Sequence, residues 1–271
     1  MKYIVKTFEN VSSFADYCKR APICAAYKGA DLQSEKVSGY KTKWTGTENY
    51  SAADALLQYG DRENAAKIIA ETAGRVKSNN ADDIRAKRFR SVCGSSVNVA
   101  AALVGRPKAM YKIERKITNT KVLNFAFNCA ADWTIDADKL AAVAVRLTSA
   151  ILGIEKKGYR INLYVCMIAK ERQEISGAFV KIKDSKTYID KTKIAYPLIN
   201  PSFLRRHSFA FMERNEGLKD AMWTMGYGQP VRDAEQQKET AAAANLKLQK
   251  IVNYYDLCDL DAAGIIDYLL K

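Results

Sequence analysis

One histidine, six cysteines and a few clustered aspartates are the residues of this 271-residue chain whose types bear on catalysis or metal binding. Any serine–histidine or cysteine–histidine nucleophile would need His207 as its base. That residue stands in FLRRHSF, among aromatics and beside two arginines that favour a neutral imidazole, so a structural role is expected. The cysteines (Cys18, Cys24, Cys93, Cys129, Cys166, Cys258) include no CxxC pair, and with a single histidine they offer no zinc set of ordinary spacing. Reduced structural thiols are expected, with Cys129 and Cys166 acting as small hydrophobes in apolar runs. Asp132, Asp136 and Asp138 stand close enough to suggest paired carboxylates, but acids at a helix start usually answer its dipole. Neither GxGxxG nor GxxxxGK[ST] occurs, and the turn NCAADWTID has no glycine to let a phosphate reach the backbone. No cofactor and no bound metal are expected.

What the chain has in quantity is positive charge. Lysine and arginine number 43 against 30 acids, a net +13, and such an excess favours anionic partners, nucleic acid above all. From Arg75 to Lys116 there are 11 basic residues and three acids, a net +8. Within it RAKRFRSV sets Phe89 among Arg85, Lys87, Arg88 and Arg90. GRPKAMYKIERK sets Tyr111 among Arg106, Lys108, Lys112, Arg115 and Lys116. Cations that pair with phosphates, interleaved with aromatics that stack on bases, are the design of single-strand binders. The bland alternative is a solvated edge whose aromatics turn into the core. The 181–206 face, through Arg205 and Arg206, is expected to extend the basic surface.

These residues need elements to hold them. VLNFAFNCA is nearly continuously apolar, as a strand covered on both faces would be. DADKLAAVAVRLTSAILGIEKKG puts Leu140, Val143, Ala144, Leu147, Ile151 and Ile154 on one helical stripe and stops at Gly158, with Asp132 or Thr134 at its cap. YRINLYVCMIAKE is a second strand, so the three form a right-handed crossover with parallel strands. AFVKIKD is a third strand, and Asn200-Pro201-Ser202 starts a helix.

Upstream, SSFADYCKRA reads as a helix capped by Ser12 or Ser13, and KTKW as a strand end. Ser51 to Gly60 reads as a helix with Leu56, Leu57 and Tyr59 inward and Ser51–Asp54 as a loose capping box. RENAAKIIAETAGRV is a helix with Ala65, Ile68, Ile69 and Ala73 at helical spacing. Between Arg88 and Lys116 come short strands and a small helix broken at Gly105-Arg106-Pro107. Near the end, GYGQPVRD is a flexible loop, AEQQKETAAAANLKLQKIVNYY one helix, and DLDAAGIIDYLLK a short acidic helix. The start MKYIVKTFENVSSFADYC has no long apolar run, which predicts no secretory signal, and no run reaches the roughly 18 residues that span a bilayer. No membrane partner is expected.

The apolar strand, polar turn, long helix and returning strand GYRINLYV, with YPLINPSFLRRHSFAFME beyond, resemble a degenerate von Willebrand A-like domain. In that family the first loop reads Asp-x-Ser-x-Ser and gives a carboxylate and two hydroxyls to a divalent cation. Asn128, Ala130 and Asp132 stand at those places here, which implies the remnant of a metal loop. The strings WTGT…YSAADALLQYG and RSVCG…V…GRPKAM also resemble proteins carried by tailed bacteriophages, a likeness that brings no activity with it. The expected architecture is a three-layer α/β, von Willebrand A-like (Rossmann-like) sheet over 118–230. A mainly helical N-terminal elaboration over 1–117 carries the basic segment, and C-terminal helices occupy 231–271. The expected function is non-enzymatic nucleic-acid binding, single-stranded DNA in particular, in the host cytoplasm. The alternative is a scaffold that binds another phage or host protein through the degenerate loop face, without nucleic acid.

Overall fold

A computed structural model of the chain describes residues 1–29, 31–37, 42–73, 86–94, 96–115, 121–132, 135–215 and 228–271. The chain opens with β1 (Lys2–Phe8) and α1 (Val11–Arg20), makes a 3-10 turn at Ala25–Tyr27, and continues through α2 (Thr42–Thr45), α3 (Tyr50–Tyr59) and α4 (Arg62–Ala73). An excursion follows, with β2 (Ala86–Ser91), β3 (Ser96–Val97), α5 (Val99–Leu103) and β4 (Met110–Arg115). Then come β5 (Val122–Asn128), α6 (Ala137–Lys156), β6 (Arg160–Glu171), β7 (Glu174–Lys183) and α7 (Lys191–Ile199). A π-helical stretch, Phe203–Ser208, runs into α8 (Phe209–Arg214). The chain ends with β8 (Gln229–Pro230), α9 (Ala234–Ala243), β9 (Lys250–Asn253), α10 (Tyr254–Leu257) and α11 (Ala262–Leu270).

The main sheet runs β1-β7-β6-β5-β9, with β8 pairing on β6. β5 is parallel to β6 and to β9, β1 is parallel to β7, and only the β6 pairs with β7 and β8 are antiparallel. A mixed, mostly parallel sheet with helices on it is compatible with a Rossmann-like α/β fold, and the expected β5–α6–β6 crossover is present. Alternation explains the near-continuous apolar run of β5. Leu123, Phe125 and Phe127 enter the larger core with α6, while Ala126 enters a second core on the other face with Cys166, Phe179 and Ala241 of α9. On α6 the stripe Val143, Ala144, Leu147, Ile151 and Ile154 is buried as expected, each of its larger side chains stabilising by about 1.5–3 kcal/mol. α11 docks on α6 closely: a Cβ at Gly153 would lie 2.7 Å from Ile266 Cδ1.

Several expectations are corrected. The helix proposed for 234–255 stops at Ala243, turns at Asn245 (φ 55°) and becomes β9, because the slot beside β5 overrides the helix propensity of that stretch. Of KTKW, Thr42 to Trp44 lie in α2, not a strand (Lys41 is outside the described residues). The caps are Asn10 and Asn49 rather than Ser12, Ser13 or Ser51, since an asparagine one or more places earlier reaches the free N–H groups of Ser13 and Ala52. Asp136, not Asp132 or Thr134, caps α6 (Thr134 is outside the described residues). Tyr59 and Ile69 point to solvent. Boundaries at 117 and 230 cut through one sheet, whose edge strands β1 and β9 come from the two flanking segments. Among the described residues no helix is long and apolar enough to cross a membrane.

Candidate nucleic-acid interface

The basic segment builds its own small sheet, in the order β2-β4-β3. The antiparallel register sets Arg90 across from Tyr111 and Phe89 across from Lys112, so the two aromatics lie on opposite faces of the ribbon, each beside a cation. Asn98 ties the module together: its Oδ1 accepts from Ala101 N (3.1 Å), capping α5, and its Nδ2 donates to the Tyr111 hydroxyl (2.7 Å). Gly94 is required where the loop crosses β4, since a Cβ there would lie 2.1 Å from the Tyr111 carbonyl oxygen. Phe89 and Tyr111 are half-buried, while Arg90, Arg106, Lys108 and Lys112 are exposed. Among the described residues none of these four cations has an acidic partner. Arg85 and Lys116 lie outside the described residues, and for Lys87, Arg88 and Arg115 only the backbone is described.

The 181–206 face is not a free basic surface. Arg206 is fully buried and donates to four backbone carbonyls, those of Ser34 (3.1 Å), Lys36, Thr47 (3.2 Å) and Glu48 (3.0 Å). It ties together carbonyls from before and after α2. Arg205 is buried too, donating to the Trp44 carbonyl and lying 4.2 Å from the centre of the Trp44 ring; burial pulls its guanidinium down to about 10. Neither can meet a phosphate. Lys183 is buried against Glu155 (2.6 Å), and Lys181 pairs with Glu9 (3.2 Å).

His207 is buried, and burial rather than its arginine neighbours is the main reason its pKa falls. Its Nδ1 meets the Tyr196 hydroxyl at 2.8 Å, and its Nε2 lies 3.9 Å from Asp54 Oδ1, which partly opposes the shift. All six thiols are free, and burial pushes Cys129 up to about 12 and Cys166 well above the ordinary range.

At the end of β5, Asn128 is buried and both ends of its amide are used. Oδ1 accepts from Ala130 N and Ile168 N (3.2 Å each), and Nδ2 donates to the Val231 carbonyl at 3.3 Å. A carboxylate could not make the last bond. The residue knots β5 to β6 and to the segment after β8, and its oxygen is turned to backbone. Ala130 is buried, and Asp132 lies 3.4 Å from Arg232 Nη2. Arg232 also donates to the Tyr255 hydroxyl (2.6 Å) and lies 4.0 Å from that ring's centre. Of the three loop residues only Asp132 offers a side-chain oxygen to the outside, and an arginine sits against it. Among the described residues no group of three or more His, Cys, Asp or Glu could hold a metal ion. Sequence reasoning missed Arg232, because the stretch GYGQPVRD gives no local sign of a partner in a loop far upstream.

Over residues 2–253 the chain matches the family described as Domain of unknown function (DUF7192). It belongs to that family. No curated protein and no solved structure matches it. The DUF7192 match begins with the first residue of β1 and ends with the last of β9, so it takes in the main sheet and everything strung between its edges. α10 and α11 lie beyond it.

Proposed function

We propose that this DUF7192 protein is a non-enzymatic nucleic-acid-binding protein of bacteriophage origin, acting in the host cytoplasm, in which a von Willebrand A-like body carries a basic β-module as its working surface. The observation that carries the reading is the set Arg90 and Lys112 on the two faces of the β2–β4 ribbon, beside Tyr111 and Phe89, with Arg106 and Lys108 in the loop before β4, all four exposed and without an acidic partner among the described residues. Arg206 and Lys183, by contrast, are drawn into a carbonyl clamp and an ion pair. The von Willebrand A-like part of the reading is supported by the crossover β5–α6–β6, the antiparallel return of β7 beside β6, and β9 on the other side of β5. The degenerate loop is read as structural, because Asn128 spends its amide on the backbone.

The test is binding of labelled single-stranded and duplex oligonucleotides over a range of salt. Binding to the wild type weakens steeply with salt, and Arg90→Glu/Lys112→Glu lowers the log–log slope by about two, one for each lost phosphate contact. A single-strand preference that Phe89→Ala or Tyr111→Ala reduces assigns the aromatics a stacking role. No binding at low salt sinks the reading.

A further inference from the structure

The exposed apolar side chains of this molecule are unevenly spread. Val92, Val97, Val99, Leu103 and Val104 are all exposed, Leu103 by 82%, and all belong to the β2–β4 module. Val99 and Leu103 are four apart on α5 and share the face turned away from buried Ala101. Arg90, Arg106, Lys108 and Lys112 stand in the same module. Single exposed apolar residues are ordinary, but a group of them rimmed by charge marks a contact surface. Valine and leucine have nothing to gain from a phosphate backbone, so nucleic acid does not account for them.

The complementary composition lies at the other end of the chain. Tyr254 to Leu270 holds four aspartates and no base, within a protein of net +13. Asp259, Asp261, Asp267 and Leu270 are exposed, and Leu260 and Ile266 are half-buried. The module and this end are both exposed in the same chain, so they do not cover each other.

We propose that the β2–β4 module of one copy docks on the α10–α11 end of a second copy. Val99, Leu103 and Val104 meet exposed Leu270 and the solvent edge of Leu260, and the module's cations meet the aspartates. The two patches differ, so the contact is heterologous and builds a ring or an open array rather than a closed two-fold dimer. The contact needs no nucleic acid.

Sedimentation velocity on the nuclease-treated full chain, over a wide concentration range at low and high salt, tests this. The sedimenting mass is expected to rise with concentration and to fall back on adding salt. Val99→Ser/Leu103→Ser, which adds no charge to the module, returns the protein to monomer while leaving oligonucleotide binding in place. Arg106→Glu/Lys108→Glu/Lys112→Glu and, separately, Asp259→Lys/Asp267→Lys each give monomer, and mixing these two variants restores assembly, because one intact module meets one intact acidic end. Monomer at every concentration and salt, or assembly untouched by both reversals, overturns the inference. Oligonucleotide binding that persists in a strict monomer would leave the nucleic-acid reading standing and this one fallen.

Discussion

RAKRFR at 85–90 and FLRRHSF at 203–209 have similar compositions and opposite fates. In the first, the described residues Ala86–Arg90 pair along one side with β4, and the Arg90 side chain is left to solvent. In the second, the arginines face the carbonyls of Ser34, Lys36, Trp44, Thr47 and Glu48, and they are consumed by them. The lesson is that an arginine's availability depends on whether nearby backbone lacks hydrogen-bond donors, which a count of charges does not reveal.

The contrast makes its largest prediction at Arg206. Arg206→Met leaves several buried carbonyls without donors and is expected to cost about 3–5 kcal/mol in urea unfolding, whereas Arg90→Met stays within about 0.5 kcal/mol. Equal losses at the two sites would erase the distinction. Next comes the loop at the end of β5. Asn128→Asp puts a buried carboxylate against the Val231 carbonyl and is expected to cost about 1–3 kcal/mol at neutral pH. The buried acid's pKa is raised in the folded state, so folding takes up a proton and the cost shrinks as pH falls. Mg²⁺ is expected to leave the wild-type Tm unmoved; a rise abolished by Asp132→Ala would instead reveal a working metal loop.

How much of this was legible varied with the range of the signal. The β5–α6–β6 unit could be read because continuous apolar runs and a 3.6-residue stripe are local, and the break at Gly105-Arg106-Pro107 announced the small module in the same way. β9 could not, because what makes Lys250–Asn253 a strand is the open edge of β5. The basic module was legible in composition, but Arg205 and Arg206 were misjudged, since the carbonyls that bury them lie in another part of the sequence. Val99 and Leu103 were visible as apolar residues in a basic stretch, and only their exposure gives them meaning.

A smaller effect is expected at His207. Its folded pKa lies below the unfolded value of 6.5, so below that pH the unfolded chain binds a proton that the folded chain does not. The stability is fully present above about pH 6.5 and is lost on acidification, by up to about 1.4 kcal/mol per pH unit until the folded pKa is reached. Thermal melts at pH 7.5 and 5.5 check this, with the lower Tm expected at pH 5.5, and His207→Gln should flatten the pH slope whatever it does to the absolute Tm. The smallest effect falls on the module. Tyr111→Phe removes the bond from Asn98 and is expected to cost about 0.5–1.5 kcal/mol, seen as faster amide exchange in α5 and β4 with the main sheet unchanged.

The Arg206 clamp also dictates an order of events. On a ribosome, residues 34–48 emerge long before the guanidinium that holds their carbonyls, and β1 emerges long before β7, its only strand partner among the described residues. The first elements made are therefore among the last to be fixed, and a nascent chain halted before residue 170 carries an N-terminal segment open to proteases and chaperones. Completion of the β6–β7 hairpin and the helix behind it is the step that closes the molecule at its beginning.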